Sequence, residues 1–147
     1  MPFVRIWVHL IWSTKSREKL ILPELKPALL DHLRLNAKEK NIWIDTVNCV
    51  GDHVHALISL GVEQSISKVA MLLKGESSYW INKHGLMKMK FEWQDEYIAV
   101  SVSESNVETV QRYILNQEEH HRKKSFAEEC NEFLKKYGAG IVPDSCG

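Results

Sequence analysis

Cysteine is scarce in this chain. Cys49, Cys130 and Cys146 make an odd count with no Cys-x-x-Cys spacing. That argues against a disulfide scaffold or a cysteine-rich zinc site and suits a reducing cytoplasm. No apolar run approaches the roughly 18 residues needed to span a bilayer. The apolar start MPFVRIWVHLIW carries Arg5 and His9 and has no small-residue cleavage site, so it reads as a strand and not a signal peptide. No GxxxxGK[ST] loop is present, so a nucleotide cofactor is not expected. Net charge is missing too, because 19 Lys and Arg balance 19 Asp and Glu. Any nucleic-acid contact must therefore come from local patches. Lys15-Arg17-Lys19, Lys83-Lys88-Lys90 and Arg122-Lys123-Lys124 are candidates, although such runs are more often solvated faces.

What is there suffices for one domain. The 147 residues are 44% hydrophobic, enough for a single core and too many for a disordered chain. Residues 3–13 alternate and are rich in Val, Ile and Trp, which predicts a strand. Pro23 opens a helix to about Lys38, with Leu25, Leu29, Leu30 and Leu33 on one face. Strands follow at 42–50 and 53–60 around a Gly51-Asp52 turn, then a helix from Ser65 to about Lys83. Gly75 inside that helix either weakens it or marks a close approach of a partner. A strand is expected near 96–103. Ser105-x-x-Glu108 reads as a capping box for a helix to about His120, and a last helix covers 126–137. Gly138 and Gly140 stop it, so the domain spans 1–138 and 139–147 is a loose tail. The order is β-α-β-β-α-β plus C-terminal helices, an α+β, ferredoxin-like plan with an antiparallel sheet and both inner helices on one face.

Two short motifs carry chemistry. His53 and His55 are two apart on a predicted strand, so both imidazoles face one way while Val54 points into the core. They are either two ligands of one metal ion or a hydrogen-bonded pair at a strand end. Tyr113 and Gln117 are four apart on a predicted helix, one turn apart on one face. Tyr113 is either a core-edge tyrosine with a wet hydroxyl or a nucleophile. A phenol with an ordinary pKa near ~10 reacts poorly at neutral pH unless a cation sits beside it, so the two motifs need each other. His9 reads as a structural histidine. His120 and His121 could touch a metal or a phosphate, but a helix end favours histidine anyway. Trp7, Trp12, Trp43 and Trp80 fit core or rim packing, and Tyr79 and Tyr97 lack a partner at helical spacing.

With these motifs in place, the chain resembles the single-tyrosine HUH transposases of small bacterial insertion sequences, the IS200-like family. The resemblance runs through WVHLIWSTK, GDHVHALISL at 51–60, LLKGESSYWIN at 72–82, WQDEYIAVSVSES at 93–105 and YILNQEEHHRKKSF at 113–126. It implies that His53 and His55 bind Mg²⁺ or Mn²⁺ and that Gln117 completes the metal site. It implies that Tyr113 attacks a DNA phosphate, leaving a 5′-phosphotyrosine and a free 3′-OH. It further implies single-stranded DNA with hairpins near element ends, and a homodimer in which the tyrosine helix can serve the partner's site. Asp95-Glu96 stands where that family often has glycine, which affects the expected geometry of the strand near 96. Two other readings share the fold: a domesticated, non-catalytic nucleic-acid-binding protein, and a metal-dependent phosphodiesterase that uses water. The expected location is the cytoplasm, with no membrane partner.

Overall fold

The computed structural model describes residues 2–136; the tail at 139–147, with Gly138, Gly140 and Cys146, lies outside the described residues. Four strands, β1 (Ile6–Ser13), β2 (Trp43–Val50), β3 (His53–Leu60) and β4 (Ile98–Val102), form one sheet in the order β2-β3-β1-β4. All three pairings are antiparallel. Helices α1 (Lys26–Glu39) and α2 (Ile66–Lys83) make the connections β1-α1-β2 and β3-α2-β4. This is the ferredoxin-like plan expected from the order of patterns.

Both helices cover one face. Leu29, Leu33 and Ala37 of α1 and Val69, Ala70, Leu73 and Ile81 of α2 pack on Leu10, Trp12, Val47, Val54, Ala56 and Ile58. Ser65 caps α2 as expected, its hydroxyl accepting from the Lys68 N–H at 3.2 Å. Helix α2 runs unbroken through Gly75, where an added Cβ would meet nothing within 4 Å; within this chain Gly75 does not serve a close approach. Helix α1 starts later than Pro23, with Pro27 in its first turn. Strand β4 starts only at Ile98, and the ammonium of Lys74 holds the Asp95 and Glu96 carbonyls at 2.7 and 3.2 Å.

The other sheet face is where the chain departs from its simplest reading. The capping box does not form: Ser105 lies inside a 3-10 turn, Glu104–Asn106, and Asn106 makes no side-chain cap. The single helix expected to His120 is two: α3 (Val107–Leu115) and α4 (Gln117–His121), broken at Asn116 (φ −95°, ψ 22°). The break has a partner far upstream. The buried Asn48 amide on β2 donates to the carbonyls of Ile114 and Leu115 at 2.9 and 3.2 Å. Those are carbonyls that a helix C-terminus leaves without internal donors. Helix α5 (Phe126–Lys136) covers this sheet face as well. Ile114 packs with Trp7, Leu57 and Val102, and Phe126 and Cys130 pack with Ile11 and Ile98. Among the described residues, no helix is long and apolar enough to cross a membrane. Of the tryptophans, Trp12 is fully buried, whereas Trp43 on the edge strand β2 is 66% exposed.

Candidate metal centre

Strand alternation builds the base of the site. Val54 and Ala56 enter the core under α1 and α2, so His53 and His55 face the opposite side. Both imidazoles are fully buried. Helix α5 covers the pair. The Phe126 ring stacks on His53 at 4.1 Å with 24° between planes.

Each imidazole is oriented from behind. His53 Nδ1 lies 2.7 Å from an Asp52 carboxylate oxygen, so its N–H donates there and Nε2 carries the lone pair. His55 Nδ1 lies 2.8 Å from His9 Nε2 on the neighbouring strand. His9 is thus not an isolated core histidine, since it fixes the ring beside it. A histidine that ligates through one nitrogen commonly has its other N–H held in this way. Burial lowers the pKa of His9 well below the ordinary value. Burial likewise lowers that of His55 to about 4, against the raising effect of Glu129. Burial also acts against the charged form of His53, but Asp52 and Glu129 outweigh it and raise its pKa. Neutral rings at His9 and His55 are the form that can accept a proton or a cation.

A carboxylate not anticipated from the sequence sits at the centre. Glu129 of α5 is 1% exposed. One of its oxygens lies 2.7 Å from His55 Nε2 and 3.4 Å from His53 Nε2; the other lies 3.1 Å from His121 Nε2. The 3.4 Å separation is an ion-pair distance only, and His53 Nε2 has no hydrogen-bond partner among the described residues. Burial would raise the Glu129 pKa, but hydrogen bonds with His121 and His55 and the nearby His53 imidazole hold it well below the usual carboxylate range. The ligand-type atoms of His53, His55, His121 and Glu129 all lie within 4.8 Å of one another. This cluster can hold a divalent ion.

Tyr113 and Gln117 come to the same place despite the helix break. The half-buried Tyr113 ring stands edge-on to His55 at 5.7 Å and to His120 at 4.7 Å, all within one chain. Gln117 is fully buried; its amide donates to the Tyr113 carbonyl at 3.2 Å, and its Oε1 has no hydrogen-bond partner among the described residues. Burial and the adjacent Glu129 charge raise the Tyr113 pKa above the ordinary phenol value. Tyr79 is exposed on α2, on the other side of the sheet. Tyr97 packs at the edge of the α1–α2 core.

The residues present fit a resident divalent metal. Two buried acceptor atoms, His53 Nε2 and Gln117 Oε1, lack partners beside imidazoles held in ligand-competent orientation. A buried polar atom without a partner is costly, and a cation would relieve it.

The family "Transposase IS200 like" matches residues 3–117. The chain belongs to the IS200-like transposase family. It is 32% identical over 114 residues to the ISDra2 transposase TnpA of Deinococcus radiodurans, covering 74% of this chain and 81% of that protein. It is 29% identical over 114 residues to the transposase for insertion sequence element IS200 of Salmonella typhimurium, covering 74% of each. A crystal structure of a candidate transposase from Deinococcus radiodurans superposes with a TM-score of 0.64 at 27% identity, over 79% of this chain and 93% of that one. The REP-associated tyrosine transposase bound to a REP hairpin shares the fold, with a TM-score of 0.61 at 13% identity over 82% of this chain and 72% of that one. The family match ends at Gln117, before α5 and Glu129. Membership supports transposase-type enzymatic activity in general.

Of the basic patches, Lys15 and Lys90 both pair with Glu92, Arg122 with Glu119 and Lys124 with Glu132. Exposed pairs of this kind contribute little to stability, but they do reduce local positive charge.

Proposed function

We propose that this protein cuts and rejoins single-stranded DNA through a 5′-phosphotyrosine on Tyr113, with His53, His55 and Gln117 holding Mg²⁺ or Mn²⁺. A bound metal would supply charge neutralisation on the scissile phosphate. The chain's own groups do the rest. Asp52 and His9 fix the two imidazoles, and α3, tied down by Asn48, presents the phenol beside them. The hydroxyl attacks phosphorus, a P–O bond to the tyrosine forms, and the bond to the 3′ oxygen breaks to leave a 3′-OH. One phosphodiester replaces another, so the step is reversible by an incoming 3′-OH and needs no nucleotide. The imidazole-rich donor set suits Mn²⁺ better than Mg²⁺.

The observation that carries this reading is the company Tyr113 keeps: its ring lies 5.7 Å from His55, in a site with an unpartnered His53 nitrogen. Binding alone would need neither group. Incubation with single-stranded DNA bearing a hairpin and Mn²⁺, followed by a denaturing gel, should give a protein–DNA adduct. Cleavage without any adduct would favour water as the nucleophile, and no cleavage on any element end would favour the non-catalytic reading.

Homodimerisation is part of the proposal. The edge strand β2 exposes Trp43 (66%), and Ile6 on β1 is 48% exposed; uncovered sheet edges invite pairing. Exchange of α3 between subunits would make the sites composite. Sedimentation of an active protein as a monomer at micromolar concentration would count against this. The cytoplasm, where the DNA lies, is the proposed location.

A further inference from the structure

We propose that Glu129 is a displaceable metal ligand: with His53, His55 and His121 it closes a three-imidazole, one-carboxylate site that α5 holds shut until a DNA phosphate displaces it. The inference rests on the reading of this site as a metal centre.

Three observations carry it. The first is geometric. Both oxygens of Glu129 are engaged, one toward His55 and His53 at 2.7 and 3.4 Å, the other toward His121 at 3.1 Å. All four donor atoms fall within 4.8 Å of one another, and a tetrahedral ion with bonds of about 2.0–2.1 Å would draw them to about 3.4 Å apart. The second is burial. Glu129 is 1% exposed, and its ion-pair partners among the described residues are all imidazoles: His53, His55, His120 and His121. A buried carboxylate calls for compensating charge, and a cation shared with these imidazoles would supply it. The third is mutual exclusion. Glu129 and Tyr113 both flank His55, the carboxylate 2.7 Å from its Nε2 and the phenol ring 5.7 Å from its ring centre, and the Glu129 charge bears on the Tyr113 hydroxyl. A scissile phosphate must approach that same hydroxyl. Two anionic oxygen groups cannot occupy one such position together, so Glu129 stands where a phosphate oxygen would go.

Helix α5 is built to hold this closed arrangement and to release it. Phe126 stacks on His53, and Phe126 and Cys130 pack on Ile11 and Ile98. That contact is a small apolar cluster separate from the main core between the sheet and helices α1 and α2, so lifting α5 leaves the main core intact. Donor chemistry also sets a preference. Three nitrogens and one oxygen suit Zn²⁺ or Mn²⁺, whereas Mg²⁺ prefers oxygens in an octahedron. The closed state should therefore hold transition ions tightly and Mg²⁺ weakly.

The test uses the full chain. Zn²⁺ and Mn²⁺ are titrated without DNA into the parent protein, Glu129→Gln, Glu129→Asp, and the double variant His53→Ala/His55→Ala. Fluorescence anisotropy with a labelled single-stranded hairpin oligonucleotide is then measured in Mn²⁺. Glu129→Gln should bind Zn²⁺ at least tenfold more weakly and the oligonucleotide at least tenfold more tightly. Glu129→Asp, whose shorter arm withdraws the carboxylate, should move both readings the same way and carries the test if the Gln variant does not fold. Adding Zn²⁺ should weaken oligonucleotide binding by the parent and not by Glu129→Gln. Unchanged Zn²⁺ affinity or unchanged oligonucleotide affinity in the Glu129 variants overturns the inference. If in that case the double histidine variant still loses metal, the metal-centre reading survives; if the double variant binds metal like the parent, that reading fails instead.

Discussion

Replacing His9 by leucine tests whether the imidazole behind His55 is part of the machinery or part of the packing. In the metal-free chain His55 Nε2 faces Glu129 at 2.7 Å and His55 Nδ1 faces His9 Nε2 at 2.8 Å. The consistent proton arrangement has His55 Nε2–H donating to the carboxylate and His9 Nε2–H donating to His55 Nδ1. For His55 Nε2 to serve as a ligand, its proton must instead sit on Nδ1 and be donated to His9 Nε2. Leucine can play neither part, yet it fills a similar volume at a site that is 1% exposed. Stranding one buried partner costs about 1–3 kcal/mol. In a chain of this size that is a fall in Tm of roughly 2–10 °C. The specific effect is on metal: loss of such an orienting partner weakens affinity about 10–100-fold. Calorimetric titration with Mn²⁺ measures it, and His9→Gln, which keeps an acceptor, should recover most of the loss at similar stability. If His9→Leu loses thermal stability but binds Mn²⁺ as tightly as the parent, His9 only packs and the orienting argument is wrong.

Other outcomes follow from the same geometry. Asn48→Ala removes both donors to the Ile114 and Leu115 carbonyls; it should cost about 1–2 kcal/mol and speed amide exchange across α3, and unchanged exchange would mean Asn48 does not anchor the tyrosine helix. Metal-free stability should peak near pH 6.5. Below that, the lowered pKa values of His9 and His55 (about 4 for His55) mean the unfolded chain binds more protons, so stability falls as pH falls. Glu129, held below the ordinary carboxyl range, adds to the loss below about pH 4.3. Above pH 6.5, the raised pKa of His53 means its stabilisation is lost as pH rises through that value. Chemical denaturation across pH 4–8 checks this, and stability that kept rising down to pH 5 would contradict it.

How much of this was legible in sequence depends on the range of the interaction. The order of elements and the facing of His53, Val54 and His55 follow from two-residue periodicity and were readable. Strand β3 and helix α2 fall where their patterns put them. The break at Asn116 was not readable, because the group that holds the end of α3 is Asn48, more than sixty residues upstream. The extent of burial was not readable either, since it depends on α5 docking over the histidines. Glu129 was the residue missed, and a signal existed. Phe126, Glu129 and Cys130 stand at i, i+3 and i+4, so the carboxylate shares the apolar stripe of its helix. A charge on that stripe is one the fold must pair. The sequence also suggested one continuous tyrosine helix; the geometry keeps Tyr113 and Gln117 adjacent through the Gln117–Tyr113 carbonyl bond instead.

The central claim is that Tyr113 forms the covalent bond to DNA. The direct measurement is mass spectrometry of peptides from the adduct formed on a hairpin-bearing single strand in Mn²⁺, alongside Tyr113→Phe. A nucleotide-modified peptide containing Tyr113 is expected, and no adduct from Tyr113→Phe while metal and DNA binding persist. Modification mapped to Tyr79 or Tyr97, or an undiminished adduct in Tyr113→Phe, would contradict it.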